Sequence, residues 1–329
     1  MVNVPHFHAI AFAAMLAALQ AHAQASAAPA QNYPTKPIRF IAPFVPGAGT
    51  DITARTIAMK LTDRWGHQVI VDNRPGAAGA IGVELTAQAT PDGYTVCLIS
   101  ASHSVNAATN PKLSYDLTKD LQAVSQATSL FYVLYVNPSV PAKSVQELIA
   151  YAKANPGKLN YGSSGTGGLQ HFAGELLAHL ADVKLVHIPY KGGAAAITDA
   201  LAGNIQVGFS TLLSTRTHMK TGRLRVLAVT TRNRAAAAPE LPTVAEAGVP
   251  GYEVDQWYGI VTAAKVPRTI VDKLSAAIAE AVNSPEIRQR FTSDGSTPVG
   301  SKPDEFSAHI KAEITKWRKL VKEARLQLH

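Results

Sequence analysis

The chain contains the stretch Phe40-Ile-Ala-Pro-Phe-Val-Pro-Gly-Ala-Gly-Thr-Asp-Ile-Thr-Ala-Arg55, and a second stretch of the same kind follows later, Leu159-Asn-Tyr-Gly-Ser-Ser-Gly-Thr-Gly-Gly-Leu-Gln-His171. Each pattern predicts a strand, a Gly-rich turn and the first turn of an amphipathic helix. Such a turn presents unpaired backbone N–H groups, reinforced by the helix dipole, to an anion. Two of them, far apart in the chain, predict two lobes that each offer an anion pocket to one ligand. The sequence therefore indicates a receptor for a small anion.

Composition excludes several other classes of protein. The 329 residues are enough for two domains, and the content of 47% hydrophobic and 16% charged residues is that of a globular protein. The net charge of +8 favours anions, but the basic residues are dispersed and no nucleic-acid motif is present, so we expect no nucleic-acid partner. The densest basic cluster, Lys311 to Arg325, alternates with Glu313 and Glu323, which predicts a solvated helix face. Cys97 is the only cysteine and lies in an apolar run, which predicts a buried, inert thiol and no internal disulfide.

The N-terminus predicts export. Residues Ala9 to Leu19 form an apolar run too short to span a bilayer, and small residues offer cleavage sites after Ala23 or Ala25. Residues 1–8 carry no Lys or Arg, so a disordered Ala-rich tail is the alternative. No apolar stretch of about 18 or more residues follows. We therefore expect a signal peptide over residues 1–25 and a soluble, periplasmic mature protein.

Alternation of strands and helices after this segment predicts an α/β architecture with largely parallel sheets. A strongly β-prone run predicts a strand over Phe131–Val136. Ser144, with Glu147 three residues later, predicts a capping box at the start of a helix that reaches Ala154. Other strands are predicted at Ile38–Ala42, Val69–Val71, Tyr94–Ser100, Lys158–Tyr161, Leu185–Ile188, Ile205–Ser210, Leu224–Thr230 and within Gly251–Thr262, with helices from Pro267, Pro285 and Pro303.

The residues of the two Gly turns are candidates for ligand contact. In the first turn, Asp51 at a helix N-terminus has two open interpretations, a structural cap or a ligand contact. The second turn offers the hydroxyls of Ser163, Ser164 and Thr166 and the N–H groups of Gly167 and Gly168. His171 lies one helical turn further on, where packing and ligand contact both remain open.

Motifs for other chemistries are missing from the sequence. There is no Gly-x-Gly-x-x-Gly, no Walker A pattern, no Gly-x-Ser-x-Gly and no His-Glu-x-x-His. We therefore expect no nucleotide or other cofactor, no metal and no enzyme activity. A hydrolase that uses Ser163 or Ser164 with His171 stays open as an alternative.

Several motifs together carry a resemblance to a known family, and it extends from about Tyr33 to the C-terminus. They are Tyr33-Pro-Thr-Lys-Pro-Ile-Arg39, Pro43-Phe-Val-Pro-Gly-Ala-Gly-Thr-Asp51, Val71-Asp-Asn-Arg-Pro-Gly-Ala-Ala-Gly79, Pro91-Asp-Gly-Tyr-Thr95, Tyr161-Gly-Ser-Ser-Gly165, His187-Ile-Pro-Tyr-Lys-Gly-Gly193 and Leu241-Pro-Thr-Val-Ala-Glu-Ala-Gly248. This combination resembles the Bug family, the periplasmic substrate-binding receptors of tripartite tricarboxylate transporters.

The resemblance implies a two-lobed, flytrap-like fold of the type II periplasmic-binding-protein class. One lobe would be discontinuous, with residues 26–130 and 252–329, and the other would hold residues 131–251. It also implies a monomer that binds a small carboxylate through backbone amides and hands it to membrane transporter subunits. The ligand contacts carried over by the resemblance are Phe44, Gly47, Ala48, Gly49, Thr50, Asp51, Ser163, Ser164, Thr166, Gly167, His171, Tyr190, Lys191, Gly192 and Ser210.

The identity of the carboxylate stays open at this point. An aliphatic acid fits, and so does an aromatic acid that could stack on Phe44, Tyr190 or Trp257. Two alternative functions use the same cleft: a carboxylic-ester hydrolase, and a ligand-sensing co-receptor for a signalling kinase.

Overall fold

Ten strands form one curled, mixed sheet in the computed structural model, which describes residues 32–293 and 295–324. The strands are β1 (Ile38–Ala42), β2 (Val69–Asn73), β3 (Thr95–Ser100), β4 (Leu121–Val136), β5 (Leu159–Ser163), β6 (Leu185–Pro189), β7 (Val207–Thr211), β8 (Arg225–Val229), β9 (Asp255–Ala263) and β10 (Thr297–Pro298). The α-helices of these residues are α1 (Gly49–Trp65), α2 (Ala80–Ala87), α3 (Ala101–Thr109), α4 (Val145–Ala154), α5 (Leu169–Ala181), α6 (Gly193–Ala202), α7 (Leu212–Lys220), α8 (Arg268–Asn283), α9 (Pro285–Ser293) and α10 (Pro303–Glu323). The predicted signal peptide lies outside the described residues.

The strand order separates two lobes, as the α/β flytrap prediction requires. The order is β2-β1-β3-β9-β4-β7-β5-β6, and β8 and β10 also pair with β4. We call the part around β1, β2, β3 and β9 the first lobe, and the part around β5, β6, β7 and β8 the second lobe. The outer strands of each lobe pair in parallel, as predicted. The centre differs, because β9 runs antiparallel to β3 and β4, and β4 runs antiparallel to β7.

Strand β4 passes through both lobes without interruption. Its residues Leu121–Phe131 pair with β9, and Tyr132–Val136 pair with β7. Strand β9 begins at this same crossing, where Asp255 lies opposite Phe131. Two strands therefore connect the lobes where β4 changes partners. The lobe boundaries given above, near residues 130 and 252, stay a prediction.

Helix α10 contacts both lobes through buried side chains. Trp317 packs edge-on against Phe172 of α5, with ring centroids 5.0 Å apart. Glu313 is only 6% exposed, and one of its carboxylate oxygens accepts hydrogen bonds of 3.1 Å from the indole N–H groups of Trp257 and Trp317. The prediction of a solvated face is therefore wrong at Glu313, because two buried indoles need an acceptor there.

Two local signals of the sequence are confirmed. The hydroxyl of Ser144 accepts a hydrogen bond of 3.1 Å from the N–H of Glu147, so Ser144 caps α4 as predicted. Cys97 is buried, and this burial raises the pKa of its thiol to about 12, which makes the group inert. Across residues 32–293 and 295–324, the helices all fall short of the length and apolar character that crossing a bilayer demands.

Candidate ligand-binding site

A cavity lies between the two lobes. Its floor is made by the connecting strands, through Tyr132 of β4 and Gln256 and Tyr258 of β9. The described lining contains no Asp, Glu, Lys, Arg or His side chain. The other lining residues come from both lobes: Phe44, Ala48, Gly49, Thr50, Ser100, Ser102, Ser164, Gln170, Gly193, Ala194, Ser210, Thr211 and Ser214.

Helices α1, α3, α5, α6 and α7 all begin at this cavity, since residues of their first turns or caps belong to its lining. The first N–H groups of an α-helix have no partner within the helix, and the helix dipole adds a partial positive charge there. The N-termini of α1, α5 and α6 also have no side-chain cap. The starts of these helices therefore direct a partial positive charge towards the cavity.

The first loop requires glycine at two positions, at Gly47 for its backbone conformation and at Gly49 for lack of space. Gly47 has φ of +82°, a conformation that only glycine adopts without strain, and the space around it is open. A Cβ atom on Gly49 would lie 2.5 Å from the hydroxyl of Tyr258. Gly47 thus makes the turn possible, whereas Gly49 lets the start of α1 approach the cavity floor.

Asp51 holds the first loop in place and does not line the cavity. Its carboxylate accepts hydrogen bonds from the Gly47 N–H at 3.0 Å, from Arg55 Nε at 3.0 Å and from the Asn73 side chain at 2.9 Å. Burial by itself would raise the pKa of Asp51, but these donors together hold its pKa below the usual value. The same Asn73 amide donates to the Phe44 carbonyl at 3.0 Å, which ties the loop to β2.

The donors of the second loop are used mainly inside the loop. The N–H of Gly167, whose φ is +78°, donates to His171 Nδ1 at 3.1 Å, and the N–H of Gly168 donates to the Gly165 carbonyl at 3.2 Å. Ser164 lines the cavity, while Thr166 is exposed and outside the lining. The second loop therefore presents Ser164 and the start of α5, rather than the N–H groups of Gly167 and Gly168.

The hydrolase alternative paired Ser163 or Ser164 with His171. Ser163 is fully buried, and the imidazole that it contacts is His187, with Oγ and Nε2 2.6 Å apart. His171 stacks on His187 with ring centroids 3.8 Å apart. Burial lowers the pKa of His187 to about 4, so its ring is neutral near pH 7. Neither Ser163 nor His187 lines the cavity.

Loops of the two lobes touch at the edge of the cavity. A Cβ atom on Gly192, at the start of α6, would lie 2.9 Å from Val45 of the first loop, and one on Gly165 would lie 3.1 Å from the Ala78 nitrogen. The N–H of Leu169 also donates to Ser102 across the lobes at 3.2 Å. The described conformation is therefore closed.

The family assignment follows from the sequence as a whole. The model of the tripartite tricarboxylate transporter family receptor matches residues 53–326. The chain belongs to this family.

Three solved structures illustrate the relationship. Rpa4515 from R. palustris, determined with adipate, is 33% identical, covers 89% of this chain and 98% of its own, and superposes with a TM-score of 0.86. The periplasmic binding protein BugD is 29% identical over 90% and 99%, with a TM-score of 0.86. MatC from Rhodopseudomonas palustris, with bound malate, is 26% identical over 88% and 100%, with a TM-score of 0.84. The chain is thus a member of a family of periplasmic binding proteins, in agreement with the resemblance to the Bug family.

In this receptor of the tricarboxylate transporter family, the structure brings part of the predicted contact set to the cavity. Phe44, Ala48, Gly49, Thr50, Ser164 and Ser210 line it. The remaining predicted residues lie outside the lining. Of these, Tyr190 donates to Asp199 at 2.6 Å, and Lys191 is exposed. The others are Gly47, Asp51, Ser163, Thr166, Gly167, His171 and Gly192.

Sequence reasoning missed ten lining residues, and only some of them had a signal. Ser100 ends β3 and Thr211 ends β7, and ligands of α/β sheets bind beyond such carboxyl ends. Gln170 directly precedes the candidate His171 in the first turn of α5. Gly193 ends a quoted motif and follows the predicted contact Gly192. No local pattern marks the remaining residues, which are Ser102, Tyr132, Ala194, Ser214, Gln256 and Tyr258.

A glutamine orients the cavity floor. The Oε1 atom of Gln256 accepts from the N–H groups of Ala101 at 3.1 Å and Trp257 at 2.8 Å. Its Nε2 atom can then only donate, and it does so to the Tyr132 hydroxyl at 2.6 Å. The Tyr132 hydroxyl therefore accepts in this contact and keeps its own proton for a second partner, and the Ser102 hydroxyl lies within reach.

Proposed function

We propose that this protein is an exported receptor that captures a small carboxylate between its lobes and delivers it to a tripartite tricarboxylate-type transporter. The observation that supports the proposal most is the convergence of five helix N-termini on a cavity whose described lining has no charged side chain. Aligned N–H groups neutralise an anion without an arginine clamp. Adipate and malate, the acids present in two of the related structures, are both dicarboxylates.

The proposal gives each part of the site a role. The start of α1, with Thr50, and the start of α5, with Ser164, contact the ligand from opposite lobes. Ser210 adds a donor at the floor. Asp51 acts as a positioning residue that fixes the first loop. Residues 26–130 with 252–329 and residues 131–251 form the lobes, and they close around the ligand about β4 and β9.

A thermal-shift screen tests the proposal. The mature chain, beginning at Gln24 or Ser26, is heated with a panel of carboxylic acids that includes succinate, adipate, citrate and benzoate. A ligand at 100 times its Kd adds about 2.7 kcal/mol to the free energy of unfolding, which raises the melting temperature measurably. Matched neutral amides of the same acids serve as controls and should give no shift. Absence of any shift with the whole acid panel would contradict the proposal.

The same preparation addresses the alternative of hydrolysis. A receptor leaves a chromogenic carboxylic ester intact, whereas a hydrolase that depends on Ser163 or Ser164 turns it over. Turnover that disappears in Ser164→Ala would favour the hydrolase.

A further inference from the structure

The turn between β2 and α2 has a backbone conformation that alanine avoids. Its four residues, Gly76-Ala77-Ala78-Gly79, all have positive φ, and the values at Ala77 and Ala78 are +46° and +53°. In the part of the chain that the structure describes, the other residue that combines a side chain with positive φ is Asp182, the C-cap of α5. Asp is tolerated in this conformation, whereas each left-handed alanine costs free energy. We call residues 76–79 the left-handed turn.

Contacts within the first lobe fix both ends of the left-handed turn. The N–H of Gly79 donates to the Gly76 carbonyl at 2.9 Å. A Cβ atom on Gly76 would overlap the side chain of Ile81. One on Gly79 would lie 2.5 Å from Nε2 of His103 and 3.1 Å from the ring of Phe44. Backbone strain persists where the surrounding structure over-determines it, and these contacts supply that constraint from the first lobe alone.

The two alanines of the turn differ in what covers them. Ala77 is exposed, whereas Ala78 is only 3% exposed. Part of the cover over Ala78 comes from the second loop, in the other lobe. A Cβ atom on Gly165 would lie 3.1 Å from the Ala78 nitrogen, and one on Gly168 would lie 3.6 Å from the Ala78 methyl. Because neither glycine has a side chain, the two lobes approach each other around a single methyl group.

The glycines that cover Ala78 are also held in place. The hydroxyl of Ser163 accepts from the N–H of Gly165 at 3.1 Å and lies 2.6 Å from Nε2 of His187. The N–H of Gly168 donates to the Gly165 carbonyl at 3.2 Å. Ala78, Gly165 and Gly168 all lie outside the cavity lining. Two fixed backbone segments, one from each lobe, thus meet beside the cavity.

We infer that the left-handed turn is a closure latch, and that Ala78 sets the affinity of the receptor without contacting the ligand. The inference rests on the proposed function, since it concerns closure around the same carboxylate. A ligand held between two lobes binds tightly only in the closed state, so its apparent Kd rises as that state becomes less populated. The contact of Ala78 with the second loop exists only when the lobes are closed. It therefore changes the affinity for every ligand by the same factor.

Asparagine at each alanine of the turn tests the inference. Asn adopts the left-handed conformation more readily than alanine, so neither variant adds backbone strain. At Ala78 the longer side chain must displace Gly165 and Gly168, whereas at Ala77 it extends into solvent. Calorimetric Kd values are measured for succinate, adipate, citrate and benzoate. For the acids that bind the wild type, Ala78→Asn should raise Kd by one common factor, on the order of ten- to a hundredfold. Ala77→Asn, the matched control, should leave Kd within about twofold.

A second pair of variants approaches the contact from the other lobe. Gly165→Ala and Gly222→Ala both place a side chain at positive φ, +132° and +69°. Only Gly165→Ala adds a methyl group against Ala78, since the space around Gly222 is open. We expect Gly165→Ala to raise Kd and Gly222→Ala to leave it near the wild-type value. The melting temperature of each variant without ligand reports whether it is folded.

The outcomes separate the inference from the proposed function. Wild-type Kd values in folded Ala78→Asn would overturn the inference and leave carboxylate binding intact. A loss that differs from acid to acid would overturn it as well, because it would place Ala78 in contact with the ligand. If Ala78→Asn does not fold, the comparison of Gly165→Ala with Gly222→Ala decides, and equal Kd values in that pair would overturn the inference. If none of the acids bound the wild type, the proposed function and the inference would both be wrong.

Discussion

The contact between Gly49 and Tyr258 shows how one hydrogen atom shapes the cavity. Gly49→Ala places a methyl group 2.5 Å from the Tyr258 hydroxyl, and the ring of Tyr258 is buried and cannot easily retreat. We expect the affinity for the best carboxylate to fall at least tenfold while the protein still folds. Calorimetry on Gly49→Ala and on the double variant Gly49→Ala/Tyr258→Phe checks this. Removing the hydroxyl should restore part of the affinity, and an unchanged Kd for Gly49→Ala alone would contradict the prediction.

The lowered pKa of Asp51 leads us to expect that the protein loses stability as the pH falls. Its pKa is lower in the folded protein than in the unfolded chain, so its contribution is complete above the unfolded value of about 3.9. It is lost as the pH falls through the lowered, folded pKa. Asp51→Asn cannot lose this contribution, so its melting temperature should fall less than that of the wild type between pH 5 and about pH 3.

The matched control for Asp51 is Asp272→Asn, which removes an exposed carboxylate paired with Arg268. Its melting temperature should follow the wild-type curve at every pH, because exposed pairs contribute little. Parallel curves for the wild type and Asp51→Asn would show that the Asp51 contacts do not stabilise the fold.

At the scale of elements, α10 depends on one buried carboxylate. Glu313→Leu leaves the indole N–H groups of Trp257 and Trp317 without an acceptor. Each unpaired buried donor costs about 1–3 kcal/mol, so we expect the free energy of unfolding to fall by several kcal/mol. Urea denaturation measures the change. Glu323→Leu, at an exposed position of the same helix, should stay within about 0.5 kcal/mol of the wild type. A similar loss in both variants would rule out the special role of Glu313.

Strand β4 shows what the sequence could and could not predict about the fold. The sequence predicts its second part, Phe131–Val136, because that run is almost wholly apolar and β-prone. The first part, Leu121–Leu130, was missed because two bulges, after Ala123 and after Gln126, break the alternation of inward and outward side chains. The Gly turns and helix starts were predictable, since glycine and capping residues act locally.

Contacts made by the crossing strands were beyond such reasoning. Tyr132 and Gln256 meet because the pairing of β4 with β9 places Gln256 opposite Leu130, two residues before Tyr132, although Tyr132 and Gln256 are 124 positions apart in the chain. No local pattern carries that information. The same holds for Gln170, whose partner is a carbonyl on β7. The sequence therefore predicted the loops that approach the cavity and the strand segments beneath it, but not that Tyr132, Gln256 and Tyr258 of those strands form its floor.

At the scale of the whole molecule, helix α6 offers a test of closure. Gly192 at its start has φ of +150° and touches Val45 of the other lobe, whereas Gly203 at its end has φ of +84° and open space around it. An alanine at either position strains the backbone, but only Gly192→Ala also obstructs the contact between the lobes. We expect Gly192→Ala to weaken ligand binding and Gly203→Ala to leave it near the wild-type value.

Small-angle scattering with and without the best carboxylate measures closure directly. The radius of gyration should decrease on binding in the wild type and in Gly203→Ala. In Gly192→Ala it should stay closer to the ligand-free value. Identical scattering of all three proteins with and without ligand would argue against closure about β4 and β9.

The absence of charged side chains from the described cavity lining bears on how the ligand specificity of such receptors evolves. Any residue except proline supplies the same backbone N–H, so substitutions in the lining at positions other than the tightly packed glycines leave the main-chain donors in place. The side chains beside these donors then decide which acid fits. A duplicate of this receptor can thus come to bind a different acid by changing side chains of the lining, while its main-chain donors stay in place.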